Sequence, residues 1–234
     1  TSGPAEASPD KSLPTVGRQI EGVWVGVELH QDLFEPGFPA SLTLEGLSEP
    51  PLLFATGVEG VIGHTLGYEE LLWHLCQHLR FHATVFLPWR LIWVADIVGL
   101  VERFAAQLDW ERMARRYPEA LDTLSLLHWL TPLPQSLLVQ VRLPLGVRPS
   151  GVGEDFDGWP RHALAAQRAK GWRGVLRNTL WPAEWWLRLH GGLSAAAPLW
   201  RRRWLQHPLE IAGWGCNLIA GEVRRRARLA ARRT

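Results

Sequence analysis

The chain has few of the residues that build disulfide frameworks or zinc sites. Only two cysteines occur in 234 residues, Cys76 and Cys216, and their separation matches no disulfide or metal-binding pattern. No apolar run reaches the roughly 18 residues that a transmembrane helix needs, and no secretory signal pattern opens the sequence. These absences argue against a disulfide-rich secreted protein and an integral membrane protein, so we expect a cytoplasmic protein.

Methionine is also nearly absent. The sequence begins with Thr1, and its single methionine is Met113. We therefore expect the chain to be the later part of a longer protein. With 47% hydrophobic residues it can nevertheless bury the core of one or two domains.

The small net charge of +2 conceals a division between the two ends of the chain. Residues 1–160 hold 10 basic and 20 acidic side chains, whereas residues 161–234 hold 15 basic and 3 acidic ones. Such asymmetry is typical of a basic segment that contacts phosphate in nucleic acid, lipid headgroups or nucleotides.

The longest apolar region, residues 68–110, has the spacing of two helices. In the first, leucines recur at helical intervals, and His74, His78 and His82 recur every fourth residue along an adjacent face. The second, which Pro88 can open, is apolar nearly all round, as is typical of a buried helix. This helix pair is the predicted centre of the fold.

The second helix carries Arg90, Trp93 and Asp96 on one face, because they are three residues apart. An unpaired buried carboxylate is costly, so we expect Asp96 to be buried and to pair with Arg90 or with a histidine of the first helix. Histidines four residues apart can also bind a transition metal. Without a carboxylate or cysteine nearby, hydrogen-bonded residues of a core or cleft are the favoured interpretation.

A strand is predicted within IEGVWVGVELH at residues 20–30, where valines alternate with other residues. Glu28 lies near the end of this strand, and His30 follows on the same face. Residues 1–19 are predicted to be a loop, and PLLFATG at residues 51–57 a second short strand. By pattern alone, Glu28 is a solvated carboxylate at a strand end.

Further local signals mark the middle of the chain. Asp109 predicts an N-cap, and Pro118 the first position of another helix. LLVQVRLPL, residues 137–145, fits either a strand or a helical turn. Asp155 and Asp157 have a spacing that can hold a divalent cation, although a solvated loop is favoured there.

The end of the chain is rich in tryptophan and arginine. Eight of the fourteen tryptophans lie in residues 159–234. We expect broken amphipathic helices, with interruptions at Pro208, Gly213 and Gly215, and packing or surface positions for His190 and His207. A helical layer with a solvated basic face is favoured over helices at a membrane interface and over a nucleic-acid contact.

Three segments together resemble the uncharacterised nucleotidyltransferase family of the DNA polymerase β-like superfamily. They are VELH at residues 27–30, the run from LLWHLCQHLRFH through RLIWVADIVGLV to LDWERM, and LWPAEWWLRLHGGL followed by RRRWLQHPLEI. The resemblance covers most of residues 20–215. Each motif is weak by itself, but their order and spacing together are more specific.

The resemblance implies transfer of a nucleoside monophosphate from a nucleoside triphosphate to an unknown acceptor. Such enzymes use two divalent ions, here Mg²⁺ or Mn²⁺, held by three carboxylates. Glu28 stands where the third, metal-facing carboxylate lies, and the substrate-binding residues would be His30, His78, His82, Arg90 and Asp96. The pair of acids that should precede Glu28 does not occur, so the chain alone is expected to be inactive.

The implied fold is α+β and mostly helical, with the remnant of a small mixed nucleotidyltransferase sheet before a helical domain. We divide the chain into a partial sheet region, 1–67, a helical domain, 68–147, an acidic Gly-rich loop, 148–158, and a basic Trp-rich helical region, 159–234. The second hypothesis is a non-catalytic helical module. It would dock peripherally on a membrane or an acidic partner through residues 198–234.

Overall fold

The computed structural model describes residues 16–27, 47, 50–84, 89–162 and 171–231. These residues confirm the predicted class, because eight α-helices accompany two small antiparallel sheets. The chain divides into two compact units, Thr1–His74 and Leu75–Thr234. No helix in the described ranges is long and apolar enough to cross a membrane.

The first unit contains two β-hairpins. β1 (Val16–Ile20) pairs with β2 (Val23–Val27), and Gly22 in the turn has a φ of +80°, which glycine adopts without strain. β3 (Leu52–Ala55) pairs with β4 (Ile62–Thr65). The predicted remnant of a mixed sheet thus takes the form of two separate hairpins in the described residues.

Two of these strands agree with the sequence patterns and two do not. β2 and β3 confirm predicted strands. β1 lies in a predicted loop. β4 is not predicted, because the sequence there is interpreted as the segment that leads into the first helix. Both missed strands are short and pair with a predicted neighbour, β1 across a two-residue turn and β4 across a six-residue loop. Their hydrogen bonds come from that partner rather than from a strong pattern of their own.

The helix pair predicted for residues 68–110 is present. It consists of α1 (Tyr68–Thr84) and α2 (Leu91–Phe104), and the boundary between the two units falls inside α1. α3 (Trp110–Arg116), α4 (Pro118–Leu130) and α5 (Gln135–Val141) follow. The last of these resolves the open choice for LLVQVRLPL, since its first part is helical.

Local capping signals place the starts of α3 and α4. The side chain of Asp109 accepts a hydrogen bond from the backbone N–H of Arg112 at 2.9 Å, as an N-cap does. Pro118 occupies the first turn of α4, where its missing N–H costs nothing. Both predictions are confirmed.

α2 corrects the prediction of a helix buried all round. Its buried face consists of Val94, Ile97, Val98 and Val101, whereas Leu91 and Ile92 are 71% and 58% exposed. Asp96 is exposed as well, so the prediction of a buried Asp96 is wrong. Because the helix packs on one side only, an apolar sequence all round did not require burial all round.

The chain closes with α6 (Gly171–Leu180), α7 (Glu184–Gly191) and α8 (His207–Ala231), with a π-helical segment, Arg202–Gln206, directly before α8. The predicted breaks in the last helix are wrong. Proline in a helix crowds the carbonyl four residues earlier, and the wider π turn just before Pro208 gives the ring room. α8 therefore continues through Pro208, Gly213 and Gly215.

The second unit has a core of large apolar side chains. Those with almost no solvent exposure include Leu79, Ile97, Met113, Leu124, Leu126, Leu127, Trp185, Trp186, Leu187 and Leu189. They come from α1 to α4 and from α7, and Phe156 of the acidic loop stacks on Trp186 with ring centroids 4.3 Å apart. This core holds the helices that carry the two polar clusters described next.

Candidate functional site

α1 places His78 and His82 one turn apart on a half-buried face. Their Nε2 atoms are 2.9 Å apart, which is hydrogen-bond distance, and their rings meet edge to face at 4.3 Å. One of these nitrogens must donate and the other accept, so the pair shares a single proton on these two atoms. The i, i+4 spacing seen in the sequence is therefore a direct contact in the fold.

Trp93 of α2 completes the group. Its ring lies parallel to that of His82, at an interplanar angle of 9° and a centroid distance of 3.9 Å. His78 approaches the same ring edge-on at 5.8 Å, and the guanidinium carbon of Arg90 lies 5.9 Å from its centroid. We call His78, His82, Arg90 and Trp93 the open cluster, because Arg90 is exposed and the other three are half-buried.

The open cluster combines an exposed cation with stacked planar rings. A guanidinium binds phosphate oxygens through several N–H groups, and planar side chains of this kind stack on nucleic-acid bases. The arrangement is thus chemically suited to a ligand that has both an anionic group and a flat ring.

The structure brings three predicted site residues together, His78, His82 and Arg90; their role in binding stays a prediction. Asp96, on the same helix, is exposed and forms no ion pair with any residue that the structure describes. Glu28 and His30 lie outside the described residues. Trp93 was missing from the predicted set, although its spacing of three from Arg90 was the available signal.

The described residues contain no group of three or more His, Cys, Asp or Glu side chains that could hold a metal ion. The two carboxylates of the acidic loop bind separate side chains instead. Asp155 forms an ion pair with Arg161, and Asp157 lies 3.0 Å from the Nε2 of His162. The two carboxylates therefore fix the acidic loop to the residues that follow it.

A second polar group lies in the interior between α7 and α8. The Nη1 and Nη2 atoms of Arg202 each lie 2.7 Å from a different oxygen of Glu210, and the Nε2 of His190 lies 3.1 Å from Oε2 of that carboxylate. His190 also stacks on Trp186 at 4.5 Å. We call Trp186, His190, Arg202 and Glu210 the closed cluster, since the His190 and Arg202 side chains are 5% and 8% exposed.

Burial sets the protonation of the closed cluster. Burial lowers the pKa of His190 below its usual value, and the hydrogen bond to Glu210 only partly opposes this. Burial also acts on Glu210, but the hydrogen bonds from His190 and Arg202 outweigh it and hold the pKa of the carboxyl below its usual range. The carboxylate therefore stays ionised and forms an ion pair with Arg202.

His207 lies beside the closed cluster and is fully buried. Its Nε2 donates to the carbonyl of Thr179 at 2.6 Å, and burial lowers its pKa. The positions of His190 and His207 confirm the expectation of packing histidines.

Comparison with known proteins finds a family match that covers the open cluster but not the closed cluster. A family model described as an uncharacterised nucleotidyltransferase matches residues 11–135 of this chain, which is more than half of its length. The matched range includes Glu28 and the whole open cluster and ends before the closed cluster. No curated protein and no solved structure matches the chain.

Proposed function

This chain belongs to the uncharacterised nucleotidyltransferase family, and we propose that it is a cytoplasmic enzyme component that binds a nucleoside triphosphate at the open cluster. The reaction is transfer of the nucleoside monophosphate to an acceptor whose identity is open. Family membership supports the reaction class, and the geometry of the open cluster supports the position of the nucleotide.

The observation that carries this proposal is the stack of His82 on Trp93 beside the exposed Arg90. Arg90 provides the cation for the phosphate oxygens, because it is the charged and solvent-accessible member of the cluster. His78 and His82 add a hydrogen-bonded pair of planar rings beside Trp93. Asp96 and His30 remain predicted substrate-binding residues, and His30 lies outside the described residues.

The metal part of the proposal rests on Glu28. Divalent ions such as Mg²⁺ or Mn²⁺ hold the triphosphate and activate the nucleophile in this class of reaction. In the described ranges the side chains do not fit such a centre, because no three potential ligands lie together. We therefore assign to the chain's own described residues the binding of the nucleotide and no step at the metal.

Nucleotide binding tests the proposal directly. Titration with a fluorescent nucleoside triphosphate should give saturable binding, and Arg90→Gln should weaken it at least about tenfold, because a charge-assisted phosphate contact contributes about 1.5–3 kcal/mol. Arg103→Gln, an exposed arginine at the other end of α2, is the matched control and should bind as the parent does. Equal affinities for the two variants would remove the open cluster from the nucleotide site.

Transfer itself is tested separately. The 234-residue chain should give no transfer from any nucleoside triphosphate, because only one family carboxylate, Glu28, is identified in it. A metal-dependent turnover that is lost in Glu28→Ala would show that the other two carboxylates lie elsewhere in this chain.

A further inference from the structure

α8 has two apolar stripes on opposite sides. The inner one includes His207, Ile211 and Trp214, which are buried or half-buried, and the ring of Trp214 lies 6.4 Å from that of His190. The outer stripe begins in the π-helical segment and follows intervals of four and three residues. Its members, all exposed, are Leu205, Leu209, Ala212, Cys216, Ile219 and Val223.

The outer stripe is an unusually apolar surface for a helix that already packs by its other side. Leu209, Ile219 and Val223 are 72%, 68% and 60% exposed. Its length, from Leu205 to Val223, is about 27 Å at the helical rise per residue. A sustained apolar stripe of this size marks an interaction surface.

Charge decides which partner the outer stripe fits. Residues 161–234 carry 15 basic and 3 acidic side chains, so a second copy of the chain would bring like charge against like charge. A nucleic acid would satisfy the arginines, but leucine, isoleucine and valine neither stack on bases nor pair with phosphate. An anionic lipid surface satisfies both the charge and the apolar side chains.

The side chains next to the outer stripe are also of the kinds that bind an anionic lipid surface. Arg224 and Arg226 are exposed on the two sides of its end, and Trp204 is 61% exposed at its start. Arg225 and Arg226 also bind Glu222, with nitrogen–oxygen distances of 2.7–2.8 Å, and hydrogen bonds from the two arginines lower the pKa of Glu222 to about 2. The helix thus offers tryptophan and arginine at the depths where headgroups lie.

We propose that the outer stripe of α8 lies in the headgroup region of an anionic lipid bilayer, with the helix parallel to the surface. The leucine, isoleucine and valine side chains enter the acyl boundary, and the arginines meet the lipid phosphates and carboxylates. This contact is independent of the nucleotide site and assigns the chain a peripheral membrane position.

Vesicle co-sedimentation tests the apolar part. The chain should bind phosphatidylcholine vesicles that contain phosphatidylserine, bind phosphatidylcholine alone much more weakly, and dissociate as salt is raised. Ile219→Gln with Val223→Gln should lower the affinity about tenfold or more, because each buried aliphatic side chain contributes strongly to transfer from water. Val139→Gln, equally exposed at 68% but on α5, is the matched control and should leave binding unchanged.

Two substitutions in α8 test the electrostatic part, and they should change the affinity for anionic vesicles in opposite directions. Arg224→Gln should weaken binding to anionic vesicles about fivefold, the effect of one basic residue near such a surface. Glu222→Gln releases Arg225 and Arg226 from their intramolecular partner, so it should strengthen binding. Binding that is insensitive to both changes would overturn the electrostatic half of the proposal.

Cys216 provides a probe at the centre of the outer stripe. It is exposed, whereas Cys76 is buried and its thiol pKa is raised chiefly by that burial, so an environment-sensitive fluorophore should label Cys216 selectively. On anionic vesicles its emission should shift to the blue and resist an aqueous quencher. An unshifted label on bound protein, or a label shielded in a lipid-free dimer, would overturn the proposal; so would no binding at low salt.

Discussion

The open cluster and the closed cluster use the same kinds of side chain for different ends. In each, a histidine stacks on a tryptophan, at 3.9 Å for His82 and Trp93 and at 4.5 Å for His190 and Trp186. In each, an arginine lies nearby. The closed cluster adds the carboxylate of Glu210, which takes the hydrogen bonds of both Arg202 and His190.

That carboxylate and the depth of burial account for the contrast. A buried arginine must be paired, because an unpaired charge in the interior is strongly unfavourable. Arg202 is 8% exposed and its paired charge stabilises the junction of α7 and α8. Arg90 is exposed, so water satisfies its charge and a ligand phosphate can replace that water. Residue type alone does not separate a structural cluster from a binding cluster.

The largest expected effect is the loss of the Arg202–Glu210 ion pair in the closed cluster. Arg202→Met should lower the free energy of unfolding by about 1.5–3 kcal/mol, because it removes the bidentate hydrogen-bond partner of Glu210, whose side chain is 34% exposed. Arg201→Met, at the exposed neighbouring position, should change it by less than about 0.5 kcal/mol. Urea denaturation measures both, and a loss below 1 kcal/mol for Arg202→Met would contradict the role given to the closed cluster.

The second prediction concerns pH. His190 and His207 have folded-state pKa values below their usual value because they are buried, so the unfolded chain binds more protons than the folded one below the usual histidine pKa of about 6.5. The free energy of unfolding should be highest above that pH, and it should decrease as the pH falls below it because the unfolded chain takes up protons at these histidines. The slope contributed by each histidine cannot exceed about 1.4 kcal/mol per pH unit.

A variant isolates one of these histidines. His207→Gln keeps a donor for the carbonyl of Thr179 and removes the titrating group, so urea midpoints measured between neutral and mildly acidic pH should depend less on pH. An unchanged slope would show that His207 does not contribute to the acid sensitivity.

The third prediction compares the two stacked histidines by the same substitution. His82→Gln should cost about 0.5–1.5 kcal/mol, the contribution of one aromatic pair, because its surroundings remain partly hydrated. His190→Gln should cost more, since His190 is buried and its loss also removes a hydrogen bond to the carboxylate of Glu210. Thermal denaturation of both variants provides the measurement, and equal losses would remove the distinction between open and closed clusters.

The smallest effect is expected at Asp96. This residue is exposed, so Asp96→Asn should change the free energy of unfolding by less than about 0.5 kcal/mol. A loss comparable to that of Arg202→Met would restore the sequence-based expectation of a buried, paired carboxylate. The isosteric amide keeps the size of the side chain, so packing does not confuse the result.

Several features followed from short-range patterns. The 3.6-residue period located α1 and α2, and Asp109 and Pro118 marked the starts of α3 and α4. The spacing of His78 and His82 placed them on one face of α1, where they are in contact. Each of these depends on residues within about one helical turn of each other, so local geometry was enough.

Other features depend on partners in another element of the fold. β1 and β4 are strands because a neighbouring strand pairs with each, and the closed cluster joins His190 of α7 to Arg202 and Glu210, which lie 12 and 20 positions later. The exposure of Asp96 was misjudged for a related reason. An apolar pattern states which side chains water disfavours, but not which of them the rest of the chain covers.

The sequence by itself determined the helical class, the family resemblance and the histidine spacing, because these follow from backbone periodicity and residue order. Only the tertiary structure decided that Trp93 lies on His82, that Glu210 binds Arg202 and His190, and that α8 passes through Pro208. The physical reason is that burial and charge pairing depend on which elements pack together, and that choice is made by the free energy of the whole chain.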